Sequence, residues 1–127
     1  METLSYSFYP IDARMYIIAE NGKAVIIDPC VSEEAKKYLQ SQNIEDIIVL
    51  LTHEHYDHIS GVNWLRENFP ETRVVCSEAC SKAIMSPHKN LSAYYEILFM
   101  GKDSEVQEYV KNMEVLPYSC EADVIFN

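Results

Sequence analysis

The sequence predicts an α+β domain. Three observations predict it: a strand and a tight hairpin at the start, a compact apolar run at Asp46 to Leu51, and a regular exchange of strand and helix signals afterwards. Leu4, Tyr6 and Phe8 alternate with Ser5 and Ser7, the period of a half-buried strand. Met15 to Ala19 and Lys23 to Ile27 follow as two further strands, separated by Glu20-Asn21-Gly22, and Asn-Gly supplies the positive φ angles of a hairpin turn. Asp28-Pro29 ends the second of these, because proline offers no N–H to a ladder. Ser32 caps a helix running to about Gln42, with Glu33 and Glu34 beside its positive N-terminus and Ala35 and Leu39 facing inward. Asp46 to Leu51 is β-branched and mostly apolar, which reads as a strand buried on both faces.

Further along, Val62, Leu65 and Phe69 predict a short helix stopped by Pro70, followed by a strand at Thr72 to Cys76. Ser77 can cap a helix through about Met85, which Pro87 breaks, and Asn90 to Met100 is read as helical. Val106, Tyr109, Val110 and Met113 give the stripe of an amphipathic helix. No repeat, low-complexity tract or linker divides the chain, so residues 1–127 are expected to form one domain.

The 127 residues, 48% hydrophobic and 24% charged, suit a soluble domain with its own core. The longest apolar run, Ile47 to Leu51, is far below the roughly 18 residues of a membrane span, and Met1 begins no signal pattern, so a cytoplasmic protein without a membrane partner is expected. A net charge of −10 with no basic cluster argues against a nucleic-acid partner. Cys30, Cys76, Cys80 and Cys120 are expected to be free thiols acting as small buried hydrophobes, since no second close pair completes a four-cysteine zinc site.

His53, His55, Asp57 and His58 lie within six residues at the end of the buried strand. On an extended segment residues two apart face the same way, so His53 and His55 can share one cation while the following turn aims Asp57 and His58 at another. Imidazole with carboxylate suits zinc first, and iron or manganese also. Asp28 is either a carboxylate that fixes an imidazole tautomer or simply a turn residue before proline. His88, beside Pro87, is read as a surface residue.

The run His53-Glu54-His55-Tyr56-Asp57-His58 matches the His-x-His-x-Asp-His pattern of metallo-β-lactamase-fold proteins. Val25-Ile26-Ile27-Asp28-Pro29 resembles that family's early strand ending in aspartate, and Lys89-Asn90-Leu91-Ser92 is similar to a segment of its glyoxalase-II-like branch. The resemblance implies the N-terminal half of an αββα sandwich, a mixed sheet flanked by helices. It also implies hydrolysis of a small ester or thioester by a metal-bound hydroxide, as in hydroxyacylglutathione hydrolases. By the same resemblance His53 and His55 hold the first of one or two ions, and Asp57 and His58 the second. Asp57 is also carried as the candidate catalytic residue, and Asp28 supports the site from behind its ligands.

The family's remaining ligands, a histidine, a bridging aspartate and a final histidine, lie on a second half, and Glu121 to Phe126 resembles the approach to it. A domain truncated at its C-terminus is therefore expected, with an apolar sheet face that drives association or homo-oligomer formation. Two other functions stay open: a noncatalytic module with an incomplete metal site, and an iron-dependent redox relative of the same fold. A nuclease ranks last for want of basic surface.

Overall fold

The computed structural model describes residues 2–9 and 13–127. Its sheet has six strands in the order of the chain: β1 (Glu2–Phe8), β2 (Ala13–Glu20), β3 (Lys23–Ile27), β4 (Asp46–Leu50), β5 (Arg73–Ser77) and β6 (Val124–Phe126). The first three strands are an antiparallel meander. In the hairpin between β2 and β3, Glu20 pairs with Lys23, and Asn21 and Gly22 take φ of 51° and 78°. These are the two positive angles that the turn demands and that Asn-Gly accepts with least strain. From β3 onward the pairing is parallel, so each connection must cross over the sheet.

The helices supply those crossovers. Helix α1 (Glu33–Ser41) begins at Ser32, whose hydroxyl accepts the Ala35 N–H at 3.1 Å. Helices α2 (Tyr56–Ile59) and α3 (Val62–Asn68) join β4 to β5. Helix α4 (Glu78–Ala83) is capped by Ser77, which accepts the Cys80 N–H at 3.2 Å, and α5 (Ser104–Met113) by Asp103. Asn90 to Met100, expected to be helical, forms only two 3-10 turns, Ser92–Tyr94 and Ile97–Phe99. Among the described residues no helix is long and apolar enough to cross a membrane.

One face of the sheet carries the core. Met15, Ile17, Ile26, Ile47, Val49 and Val74 are at most 1% exposed and pack beneath Leu39, Ile59, Val62, Leu65 and Ile84 of the helical layer. A second, smaller cluster of Tyr95, Phe99 and Val110 closes over Phe8 and Tyr56. The expectation that the Asp46 to Leu51 strand is buried on both faces is corrected: Leu50 is 39% exposed, and Ile48 is only partly covered. The physical reason is that the described helices lie on one side only. The strand register aligns Tyr16, Ile27, Leu50, Val75 and Val124 in one row across the opposite side, an apolar band open to solvent.

Arg66 and Asp123 pin β6 to the helical layer and the sheet. The carboxylate accepts from the Arg66 guanidinium at 2.6 Å and from the Val74 N–H at 2.8 Å. Burial alone would raise the carboxyl pKa, but these two donors outweigh it and hold Asp123 below its usual value.

Candidate metal centre

The site is built where β3 and β4 end side by side. Asp28 leaves β3 with φ of 53°, a left-handed angle that a short polar residue tolerates, and its own N–H bonds to the Leu50 carbonyl at 3.1 Å. Its buried carboxylate then reaches across to the neighbouring strand end. Oδ1 accepts the Thr52 N–H at 2.8 Å, while Oδ2 accepts the Thr52 hydroxyl at 2.5 Å and contacts His58 Nδ1 at 2.9 Å. Of the two sequence readings of Asp28, the carboxylate behind an imidazole is the one this geometry supports.

These contacts determine which ring nitrogens face outward. A hydroxyl has one proton, and Thr52 gives it to Asp28, so at its 3.0 Å contact with His53 Nδ1 the threonine oxygen accepts. His53 therefore carries its proton on Nδ1 and leaves Nε2 as a lone pair. His58 donates from Nδ1 to Asp28 and turns Nε2 towards Asp57. Burial lowers the pKa of His53, and the neighbouring His58 and His55 lower it further against the pull of Asp28 and Asp57, so the ring stays neutral and able to ligate.

The predicted histidines lie together: the His53 ring centre is 5.0 Å from that of His55, expected to share its cation, and 3.8 Å from that of His58. Ligating atoms of Asp28, His53 and His58 all lie within 4.8 Å of one another. Residues 56–59 are one helical turn, which carries His58 back over His53 and leaves His55 exposed at the cap. Asp57, 8% exposed, places Oδ2 at 3.2 Å from His58 Nε2.

That last contact tests whether a metal suits the site. His58 Nδ1 meets Asp28 Oδ2 at 2.9 Å and its Nε2 meets Asp57 Oδ2 at 3.2 Å, so the ring is set between two carboxylates and the Nε2 contact needs a proton or a cation between its two atoms. Two ligands at about 2.0 Å from a tetrahedral zinc stand roughly 3.3 Å apart, so this spacing accommodates a shared cation in place of the proton. The donor set fits.

Several supporting residues escaped the sequence reading. Asn90, fully buried, accepts the Tyr56 N–H on its backbone carbonyl at 2.8 Å, and so holds the start of α2. Its side-chain amide donates to the carbonyls of Ile84 and Tyr118, and its oxygen accepts the Ser92 N–H at 2.9 Å. The Asn90-Leu91-Ser92 segment is thus a clasp between the histidine loop and Tyr118; residues 90–92 by themselves give no local sign of such long-range partners. Gly61 lets α3 start against the chain after Asp28: a Cβ there would lie 2.7 Å from the Cys30 carbonyl carbon.

The four cysteines are free and buried, as expected, and burial pushes the thiol of Cys30 up to about 11 and those of Cys80 and Cys120 up to about 12. Such thiols are poor nucleophiles. His88 is exposed and contacts the Tyr94 hydroxyl at 2.6 Å, in keeping with a surface role.

Comparison with known proteins adds the following. A family model described as the metallo-beta-lactamase superfamily matches residues 9–118. A hydroxyacylglutathione hydrolase of Prochlorococcus marinus (strain NATL1A) is 31% identical over 110 residues, covering 84% of this chain and 43% of the relative. Hydroxyacylglutathione hydrolase 1 of Vibrio vulnificus (strain YJ016) is 40% identical over 60 residues, covering 47% of this chain and 24% of the relative. The crystal structure of the B3 metallo-beta-lactamase BLEG-1 matches with a TM-score of 0.72 at 23% identity, covering 99% of this chain and 53% of that one. This last likeness concerns the fold. The chain therefore spans about two fifths of the length of the first relative and about half of the structural neighbour.

Proposed function

The chain belongs to the metallo-beta-lactamase superfamily, and from that premise we propose that it carries the first part of the metal centre of a hydrolase for a small ester or thioester. His53, His55, Asp57 and His58 would hold one or two cations, zinc before iron or manganese, with Asp28 fixing the His58 ring. The observation that carries this reading is the convergence of His58 Nε2 and Asp57 Oδ2 at 3.2 Å beside His53. The curated relatives are named for hydrolysing hydroxyacylglutathione, an acylated thiol, which supports the substrate class.

A transition cation bound there supplies an activated water at neutral pH and a Lewis acid for the carbonyl oxygen. The chain's own residues prepare its place. Thr52 and Asp28 hold two rings in the tautomer that turns Nε2 outward. Asp57 contributes the carboxylate beside His58 Nε2 and is the candidate catalytic group.

Elemental analysis of protein purified without added metal tests this, alongside the His55→Ala variant. One to two equivalents of zinc, iron or manganese are expected, with uptake in the variant weakened by more than about 100-fold, since even supporting residues contribute 10- to 100-fold. No uptake by the natural chain, even with zinc supplied, sinks the reading.

The noncatalytic alternative is favoured by a specific observation: the possible ligand atoms that all lie within 4.8 Å of one another are those of Asp28, His53 and His58, without His55 or Asp57, so the centre can hold one cation with few protein ligands. Metal uptake without thioester hydrolysis selects it. Iron as the dominant element selects the redox alternative.

The outer row from Tyr16 to Val124 is the surface to which we assign self-association, with a second copy of the chain as the partner. Light scattering is expected to give a mass of at least twice 14.7 kDa. A monomer at every concentration rejects the assignment.

A further inference from the structure

Helix α2 is a single turn of four residues without a side-chain cap, too short to be stable by itself, yet it carries Asp57 and His58. What it leans on therefore decides where those two groups point. Its leading N–H, on Tyr56, is held by the Asn90 carbonyl at 2.8 Å. Its other support is Tyr118, far along the chain. The Tyr118 ring stands edge-on to the Tyr56 ring at 5.3 Å, and its hydroxyl accepts the Asn63 N–H in the first turn of α3 at 3.1 Å. One side chain thus grips the residue before Asp57 and again the start of the helix that follows His58.

The main chain of Tyr118 completes the bracket. Its carbonyl accepts from the Asn90 amide at 2.8 Å and from the Ser92 hydroxyl at 3.3 Å, while its N–H donates to Ser92 Oγ at 2.8 Å. The residue that holds the Tyr56 N–H is therefore itself held by Tyr118. Three further ties dock the following segment without the Tyr118 side chain: Asn63 Nδ2 to the Ser119 carbonyl at 3.1 Å, the Cys120 N–H to the Ile84 carbonyl at 3.1 Å, and Arg66 to Asp123 at 2.6 Å.

We propose that Tyr118 is a positioning residue for the metal centre, its ring and hydroxyl fixing the stretch from Tyr56 to Asn63 so that His58 stays over His53 and against Asp28. The inference rests on the metal-centre reading above. Tyr118 acts through Tyr56 and Asn63. Without the hydroxyl, the Asn63 N–H loses its acceptor and the start of α3 can shift. Without the ring, Tyr56 loses a packing partner and the turn can rotate, drawing His58 from Asp28 Oδ2, now 2.9 Å from its Nδ1.

The test compares Tyr118→Phe and Tyr118→Leu in the whole chain with Arg66→Met, which unties the same segment at its far end. Zinc affinity is measured by competition with a coloured chelator, cobalt(II) absorption reads ligand geometry, and melts in excess chelator read stability. Zinc affinity is expected to fall about tenfold for Tyr118→Phe and about 100-fold for Tyr118→Leu, with the cobalt bands shifted in both, as for other residues that orient metal ligands. Arg66→Met is expected to lower the melt and leave affinity and cobalt spectrum unchanged. If Tyr118→Leu does not fold, Tyr118→Phe decides. Unchanged affinity and cobalt spectrum in the Tyr118 variants, when the natural chain binds zinc, overturn this inference alone. Equal loss of affinity and an equal band shift in Arg66→Met and Tyr118→Phe make Tyr118 a structural tie only, and overturn it too. A natural chain that takes up neither zinc nor cobalt overturns it together with the metal-centre reading.

Discussion

Gly61→Ala is expected to lower the melting temperature by about 10 °C or more and to weaken metal uptake with it. The new methyl group would lie 2.7 to 2.8 Å from the N, C and O atoms of Cys30, and backbone atoms cannot swing aside as a side-chain tip can. Conformational strain is not the cause, because Gly61 has φ of −91°, open to any residue. The contact must instead be relieved by parting α3 from the segment after β3. That movement breaks the 2.9 Å bond from the Gly61 N–H to the Pro29 carbonyl and draws Asp28, next in the chain, away from Thr52 and His58. A loss of about 3 kcal/mol, at the upper end for overpacking, is the expected size. Gly101→Ala is the matched control: its methyl group meets nothing within 4 Å, and the melt should not fall. Equal melts for the two variants would show that the Cys30 contact is not a constraint.

Asp28→Ala is the second large effect. It deletes the acceptor for the Thr52 N–H, the Thr52 hydroxyl and His58 Nδ1 together, and places alanine at φ of 53°, which alanine tolerates less well than aspartate does. A destabilisation of roughly 2 to 4 kcal/mol follows from stranding donors that had a charged partner. With no carboxylate to hold its proton on Nδ1, the His58 ring is free to turn or to change tautomer, and zinc affinity should drop 10- to 100-fold. Asp28→Asn separates the two consequences. Asparagine keeps the left-handed angle and one carbonyl acceptor, so most stability should return, whereas the charge behind His58 does not. Chemical denaturation and zinc competition on the three proteins read this out; an Asn variant that binds zinc as tightly as the natural chain would mean that the charge of Asp28 has no part in the centre.

What could be read from the sequence was what depends on neighbours in the chain. Asn21-Gly22 closes its hairpin because the required angles are intrinsic to those residues, and Ser32 and Ser77 cap the helices they were expected to cap because the accepted N–H lies three residues on. Asp28, His53 and His58, which the structure brings together, could be singled out for the same reason, as a strand end and a dense run. What was missed depends on distant parts of the fold. The single turn at Tyr56–Ile59 has no side-chain cap of its own and is held by the Asn90 carbonyl, so the pairing of His53 with His58 could not be read from extended-strand geometry. The 3-10 turns after Asn90 likewise exist because of its contacts with Ile84 and Tyr118. Leu50 looked like an interior residue because its neighbours are apolar on both sides, and apolar composition does not reveal which side a helical layer covers.

The change of strand direction at β3 also orders events in time. Strands β1, β2 and β3 pair with neighbours close in sequence and can join early, whereas β4 pairs with β3 only across a helical excursion, and contacts between distant residues form more slowly. Asp28 ends the rapid segment, and its partners Thr52 and His58 lie 24 and 30 residues downstream. The centre is thus a late product of folding, closed only after the first crossover has brought β4 alongside β3.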